Sequence, residues 1–501
     1  MNYIHAQQLE MLYIIAVDIG TTNCKLVIVD ENGKTISSFK ETLTSIQPGE
    51  GWHEQDPELV FQAVLRLLQQ SLSSLQHEEI ACISFSTAMH SILAVDGNGT
   101  VLTNAITWAD TRSKAWAQQL RSTTSGKNIY RQTGTPVHAM SPLCKLIFLK
   151  NENPQLFAKA YKFISIKEYI FFRLFRKFIV DTGIASATGL YNIYNNCWCR
   201  EAMDAAGIDE SKLSAVVPAT HMETELIPAI KNELRIKRSI PFVIGGNDGC
   251  LANLGNGALN TNEAALTIGT SGAVRVVIPK PATEDLNGLF RYLLTDDLYV
   301  TGAAINNGGI ALQWFAENFL QTKISANEDL RSVLNLAESA PAGAENLFFL
   351  PYLLGERATI WDEEASALFY GLHINHKKEH LTRAVIEGIS FSLLQILKAI
   401  EEQNIIVDKI YVSGVVTQSE WWMQLLADMF GKTTVLCEGS DASAMGAAFM
   451  GMYATGMIKD LSQVRSFVKT SKVFKTNEAV HQLYQQQYNV FGLLYPAFSK
   501  I

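Results

Sequence analysis

Asp18-Ile19-Gly20-Thr21-Thr22 and Ile268-Gly269-Thr270-Ser271-Gly272 are the stretches on which the fold turns. The first lies between the apolar runs 13–17 and 26–29, the second between 264–267 and 273–278. Each reads as strand, tight turn, strand. Each also sets glycine and hydroxyl residues where backbone N–H groups can face an anion. One such turn alone would be an ordinary polar hairpin. Two, in separate halves of the chain, predict two similar halves that grip one polyphosphate. A kinase or ATPase can be built that way without a Walker loop.

Working outward from the first turn, residues 25–29 and 34–42 continue an antiparallel meander through Asn32-Gly33, residues that accept positive φ. Asp56-Pro57 then opens a helix: Asp56 can cap it and Pro57 suits its first turn. Leu59, Val60, Ala63, Val64, Leu67, Leu68, Leu72 and Leu75 share one face of it. Residues 80–85 form a buried strand ending in Ser86-Thr87-Ala88-Met89-His90. Helical patterns follow at 142–150 and 154–175, and the Gly-, Ala-, Ser- and Thr-rich stretch 181–191 reads as a loop or turn region facing a cleft. A short apolar strand runs into Gly245-Gly246-Asn247-Asp248-Gly249. The second half starts again with strands, then Asn306-Asn307-Gly308-Gly309 entering a helix, and a late strand at 409–412 followed by Ser413-Gly414. The order echoes the first half, with the boundary at 257–262.

The totals bound the answer. A chain of 501 residues implies about two to four domains. With 48% hydrophobic and 18% charged residues it can bury a large core. A net charge of -8 and a pI near 5.8 give no general attraction for nucleic acid. Seven scattered cysteines without a CxxC fit reduced thiols, and a cytoplasmic location is expected. No run is long and apolar enough to span a bilayer, so no membrane partner is expected. Residues 1–10 are expected to be a disordered extension, followed by domains over 11–258 and 259–501.

Several groups carry candidate chemistry. Asp18, at the end of a buried strand, can reach Mg²⁺ directly or through water. Gly20 permits the turn, and Thr21 and Thr22 can donate to phosphate. Lys25 is either a further phosphate cation or a solvated strand lysine. Asp248, flanked by glycines, suits the carboxylate that accepts a hydroxyl proton in phosphoryl transfer; its alternative is a solvated turn aspartate. Met89, His90, Trp108, Asp110 and Arg112 stand at two strand ends and could line a pocket for a polyhydroxy substrate. The bland reading makes the histidine structural and Asp110/Arg112 a surface pair. Glu356-Arg357 reads as an internal salt bridge. Gly431-Lys432-Thr433 is not a phosphate loop: position 427 is Ala, and a helix precedes it.

Together these segments resemble the FGGY family of carbohydrate kinases, across nearly all of residues 11–500. Ser86-Thr87-Ala88-Met89-His90-Ser91, the run 106–112, the run 183–190, Ile305-Asn306-Asn307-Gly308-Gly309 and the run 350–357 carry the likeness. The resemblance implies an α/β fold of two ribonuclease H-like (actin/hexokinase-type) domains around a central cleft. It implies a sugar site in the N-terminal half, with Asp248 as general base and Asp18 and Asp248 at Mg²⁺. It implies ATP held by Gly20, Thr21, Thr22, Lys25, Gly269, Thr270, Ser271, Gly308, Gly309 and Gly414. The motifs look most like those of members that convert D-gluconate to 6-phospho-D-gluconate, with Arg112 or Arg275 holding the substrate carboxylate. Kinases of xylulose or other pentuloses are the rivals, and a non-catalytic sugar or nucleotide sensor is the alternative of another class. The expected partner is a small sugar or sugar acid; a homodimer is left open. One departure stands out: Val415 follows Gly414 where relatives usually have a second glycine.

Overall fold

The computed structural model describes residues 11–76, 79–281, 285–324, 327–438 and 441–499. The extension expected over residues 1–10 lies outside them. The chain divides into two compact units.

In the first unit β1 (Tyr13–Ile19), β2 (Asn23–Asp30) and β3 (Thr35–Thr42) form the expected antiparallel meander. The β2–β3 turn works as its residues require: Gly33 takes φ +74°, and the Asp30 carboxylate accepts the Asn32 and Lys34 N–H groups at 2.9 and 2.8 Å. Helix α1 (Pro57–Ser73) starts on Asp56, whose side chain accepts the Glu58 and Leu59 N–H groups. It buries Val60, Val64 and Leu68 against Ile15, Val17, Leu26 and Ile28 of the sheet. Next, β4 (Ile80–Thr87) pairs parallel with β1, and β5 (Met222–Glu223) and β6 (Phe242–Asn247) complete the order β5-β6-β4-β1-β2-β3. β6 runs directly into α2 (Asp248–Gly255), capped by Asn247, whose side chain accepts the Cys250 N–H at 2.8 Å. Asp248 is thus the first residue of a helix that follows the apolar strand directly.

In the second unit β7 (Glu263–Ile268) and β8 (Gly272–Pro279) flank the second glycine-threonine turn. They join β9 (Phe290–Leu293), β10 (Leu298–Ile305), β11 (Lys409–Gly414), β12 (Thr433–Cys437) and β13 (Thr470–Phe474) in the order β9-β10-β8-β7-β11-β12-β13. Helices α3 (Gly309–Phe319) and α4 (Lys378–Glu401) belong to the same unit. The run β10-β8-β7-β11-β12 repeats β3-β2-β1-β4-β6. β7 is antiparallel to β8 and parallel to β11, as β1 is to β2 and β4. The sheet is duplicated, as the two turns predict.

The units do not follow a single cut at 258. The first comprises Met1–Gly257, Tyr292–Leu298 and Asp441–Val468; the second comprises Ala258–Arg291, Tyr299–Ser440 and Lys469–Ile501. The late segment returns as α5 (Ala442–Ala454), which packs on α2, β1 and β4. Small residues make the approach possible. A Cβ on Gly446 would stand 1.9 Å from the Leu251 carbonyl oxygen, and one on Gly451 2.8 Å from Cys82 Sγ. The stretch 181–191 also departs in part from expectation. It holds the end of the strand Ile179–Asp181 and the short helix Thr182–Ser186, both buried. Residues 187–190 are the turn that the composition predicts, whereas the small residues of 182–186 serve close packing in a helix. Gly431-Lys432-Thr433 ends one helix at a left-handed glycine (φ +66°) and begins β12, as expected. The seven cysteines are free thiols. Among the described residues no helix is long and apolar enough to cross a membrane.

Candidate active site

In the first unit the carboxyl ends of three parallel strands align. Asp18 pairs in register with Ser86, and Ser86 with Gly246, two residues before Asp248. Ligands of open α/β sheets gather at such strand ends. The Ser86 hydroxyl donates to Asp18 Oδ1 at 2.7 Å. Burial pushes the Asp18 carboxyl up to about 6; the charges of Asp248 and Asp441 act in the same direction, and the Ser86 bond and Lys25 oppose them. Asp248 is half-buried, and its Oδ1 accepts the Gly249 N–H at 2.9 Å. Lys25, opposite Asp18 in β2, forms an ion pair with Asp441. Three carboxylates and one ammonium therefore share one electrostatic field. Such a surplus of hard oxygen donors fits a divalent cation of the Mg²⁺ kind.

The segment after β4 builds the neighbouring pocket. His90 is buried with φ +70°, rare for a residue with a side chain. Its Nδ1–H donates to the Ala187 carbonyl at 2.7 Å, and its ring meets Tyr292 edge-on at 5.8 Å. Lys145, wholly buried, donates to the His90 and Thr107 carbonyls at 2.6 and 2.7 Å, tying the Met89-His90 and Trp108 segments together. Trp108 Nε1 donates to Thr21 Oγ1 at 2.9 Å, which joins this pocket to the first glycine-threonine turn. Thr21, Thr87, Met89 and Trp108 line one small cavity there. Thr87, one of these lining residues, has its Oγ1 buried without a hydrogen-bond partner.

Asp110 and Arg112 are otherwise engaged. Arg112 clasps Asp110 through Nε at 2.9 and 3.0 Å, reaches Glu54 at 2.6 Å, and stacks 3.8 Å over Trp52. Asp110 also accepts the His53 N–H at 2.7 Å. This is a buried structural network rather than the exposed pair of the bland reading. Arg275 lies in β8 of the second unit, opposite Ala265.

The second unit collects its own set. The Gly269 N–H donates to the Ser271 carbonyl at 2.8 Å, and Gly309 N–H to the Gly269 carbonyl at 2.7 Å. Gly308 has no room for a side chain: a Cβ would stand 2.4 Å from the Ser271 oxygen. Gly414 pairs in register with Ile268 at φ +92°. Gly269, Thr270, Ser271, Gly308, Gly309 and Gly414 thus form one backbone-lined patch, with Val415 at its border. Glu356 is the brace behind it. Its carboxylate accepts the Asn306 and Arg357 N–H groups at 2.5 and 2.8 Å and the Asn307 amide at 3.2 Å, and burial pushes it up to about 7. The Arg357 charge, the partner expected from the sequence, opposes that rise.

One further cluster, Glu345, His373 and His376, brings its donor atoms within 4.8 Å of each other. His376 Nδ1 accepts the His373 N–H at 3.0 Å, and His373 Nδ1 accepts the Asn375 N–H at 3.4 Å. Each neutral ring then carries its proton on Nε2 and presents an N–H, not a lone pair, to a metal. Sequence reasoning missed Lys145, Lys167, Asp181, Ser86 and Asp441. For Lys167 a signal existed: it stands in the helix Ile166–Phe175 beside an almost unbroken apolar run, where every residue but Arg173 is buried.

The comparisons agree with this architecture. Residues 13–255 match the N-terminal domain of the FGGY family of carbohydrate kinases and residues 264–455 its C-terminal domain. The chain is 40% identical over 462 residues to a gluconokinase of Bacillus subtilis, covering 91% of this chain and 90% of that one. The crystal structure of a ligand-bound xylulose kinase from Lactobacillus acidophilus superposes with a TM-score of 0.93 at 34% identity, covering 97% of this chain and 98% of that one. A gluconate kinase from the same organism gives 0.91 at 35%, with 97% and 98% covered. A duplicated sheet of this order and these matches define a carbohydrate kinase with two actin/hexokinase-like domains. The chain belongs to the FGGY family of carbohydrate kinases.

Proposed function

We propose that this kinase transfers the γ-phosphoryl group of Mg-ATP to the terminal hydroxyl of D-gluconate, giving 6-phospho-D-gluconate and ADP. The observation that carries the transfer is the placing of Asp18 at the carboxyl end of β1 and of Asp248 just past that of β6, on either side of β4 and coupled through their charges. Asp248 accepts the hydroxyl proton as the oxygen attacks phosphorus. Phosphoryl transfer asks little more of a protein than in-line placement and charge stabilisation. Asp18 and Asp248 would hold Mg²⁺, which when bound neutralises phosphate charge. Thr21, Thr22 and Lys25, together with Gly269–Ser271, Gly308, Gly309 and Gly414, are the proposed phosphate and nucleotide contacts. The Thr21 hydroxyl accepts from Trp108, so its own proton is available to donate.

The choice of gluconate rests on the 40% identity to the Bacillus subtilis gluconokinase. Arg112 and Arg275 are the candidates for holding the substrate carboxylate. A second reading, phosphorylation of a pentulose such as D-xylulose, is favoured by the Lactobacillus acidophilus xylulose kinase structure. A coupled ADP assay with D-gluconate, D-xylulose and L-ribulose separates them. Gluconate should give the highest kcat/KM; a higher value for either pentulose would move the assignment to it. ATP and sugar binding without ADP formation would favour the sensor instead.

A further inference from the structure

Two residues before the proposed base, the strand is held by a charge pair that no exposed function explains. Lys167 Nζ donates to Asp181 Oδ2 at 2.8 Å and to the Gly246 carbonyl at 2.8 Å, and both side chains are 0% exposed. Asp181 is itself fixed, because its Oδ1 accepts the Ile184 N–H at 2.9 Å. Asn247 is held to the same segment through Nδ2, which donates to the Gly183 carbonyl at 2.9 Å. Gly183 is pressed against it: a Cβ there would lie 3.3 Å from the Asn247 nitrogen. Gly246 is therefore hooked to Asp181 through the Lys167 ammonium, and Asn247 to Gly183 through an amide hydrogen bond. Asp248 follows with its carboxylate on the first turn of α2.

Stability does not account for this arrangement. Burying an ammonium and a carboxylate carries a large desolvation penalty, and an apolar pair of similar volume is often as stable or more so. An apolar pair could not grip the Gly246 carbonyl. A displacement of about 1 Å at a reacting group can cost about 100-fold in rate. We propose that Lys167, locked by Asp181, is a positioning residue: it fixes the end of β6 so that the Asp248 carboxylate is aimed at the substrate hydroxyl. The inference rests on Asp248 as general base, and the test separates the two ideas.

The test uses the full chain carrying Lys167→Met with Asp181→Asn, which removes both charges together and keeps an acceptor for the Ile184 N–H. Expected is a cooperative thermal transition, kcat lowered about 10–100-fold, and a sugar KM within about 3-fold of wild type. Asp181→Asn alone should lower kcat less, about 3–10-fold. In an Asp248→Asn background the double change should cost almost nothing more, because the group it serves is gone. A folded double variant with wild-type kcat overturns the proposal. So does full additivity with Asp248→Asn, and so does loss of fold in both variants, which would make the pair purely structural. Near-normal turnover of Asp248→Asn by itself would instead overturn the base assignment.

Discussion

Asp18 is placed where function and folding pull apart. Its carboxyl titrates at about 6 in the fold against 3.8 ordinarily, chiefly through burial. Between these values the native state binds more protons than the unfolded chain, so stability falls as pH rises from about 4 to 6 and the deficit persists above. Asp18→Asn should therefore raise the melting temperature at pH 7.5, with the gain fading toward pH 4. Scanning calorimetry at both pH values checks this; a lower melting temperature at pH 7.5 would contradict it. The same variant should lose cation-dependent turnover. In wild type, turnover should rise with pH through about 6, and saturating Mg²⁺ should move that rise to lower pH, since metal competes with the proton. Asp248→Asn should lower kcat at least about 100-fold without loss of fold, the scale of losing a general base. Steady-state kinetics with circular dichroism reads both quantities.

Elements were legible where local chemistry decides them. Asp56-Pro57, Asn32-Gly33 and the two glycine-threonine turns satisfy their own backbone, so their signals sit in adjacent residues. The stretch 182–186 was not legible because small residues mean either a loop or a close approach, and only the partner tells which. Asp110 and Arg112 show the same limit, since Glu54 and Trp52, which engage the arginine, lie far off in sequence. The helix α5 belongs to this class. Its small face meets α2 backbone to backbone, so Gly446→Val should collide with the Leu251 carbonyl. Overpacking of this kind costs about 1–3 kcal/mol or more. A lowered melting temperature and reduced kcat are expected together, because α2 carries Asp248 at its start. An unchanged melting temperature would show that α5 can slide away from α2.

At the scale of the whole chain, the first unit draws on three separated segments. A fragment ending at Gly257 lacks the helix that covers β1, β4 and α2, and should elute as aggregate with little near-ultraviolet dichroism. Joining residues 441–468 to it through a flexible linker should recover a monodisperse, folded species. A folded fragment without that segment would mean α5 is dispensable to the unit. No local sequence signal marks this exchange, because a helix of Ala, Gly and Met reads the same whichever sheet it covers.

The late return of α5 also sets the order of events on the ribosome. The first unit is made early, yet its last helix emerges roughly two hundred residues afterwards. At about 5–20 residues per second, the nascent chain spends roughly 10–40 s with the apolar flank of that sheet uncovered. Holdase chaperones have that interval in which to bind, and slower translation between the two segments would lengthen it.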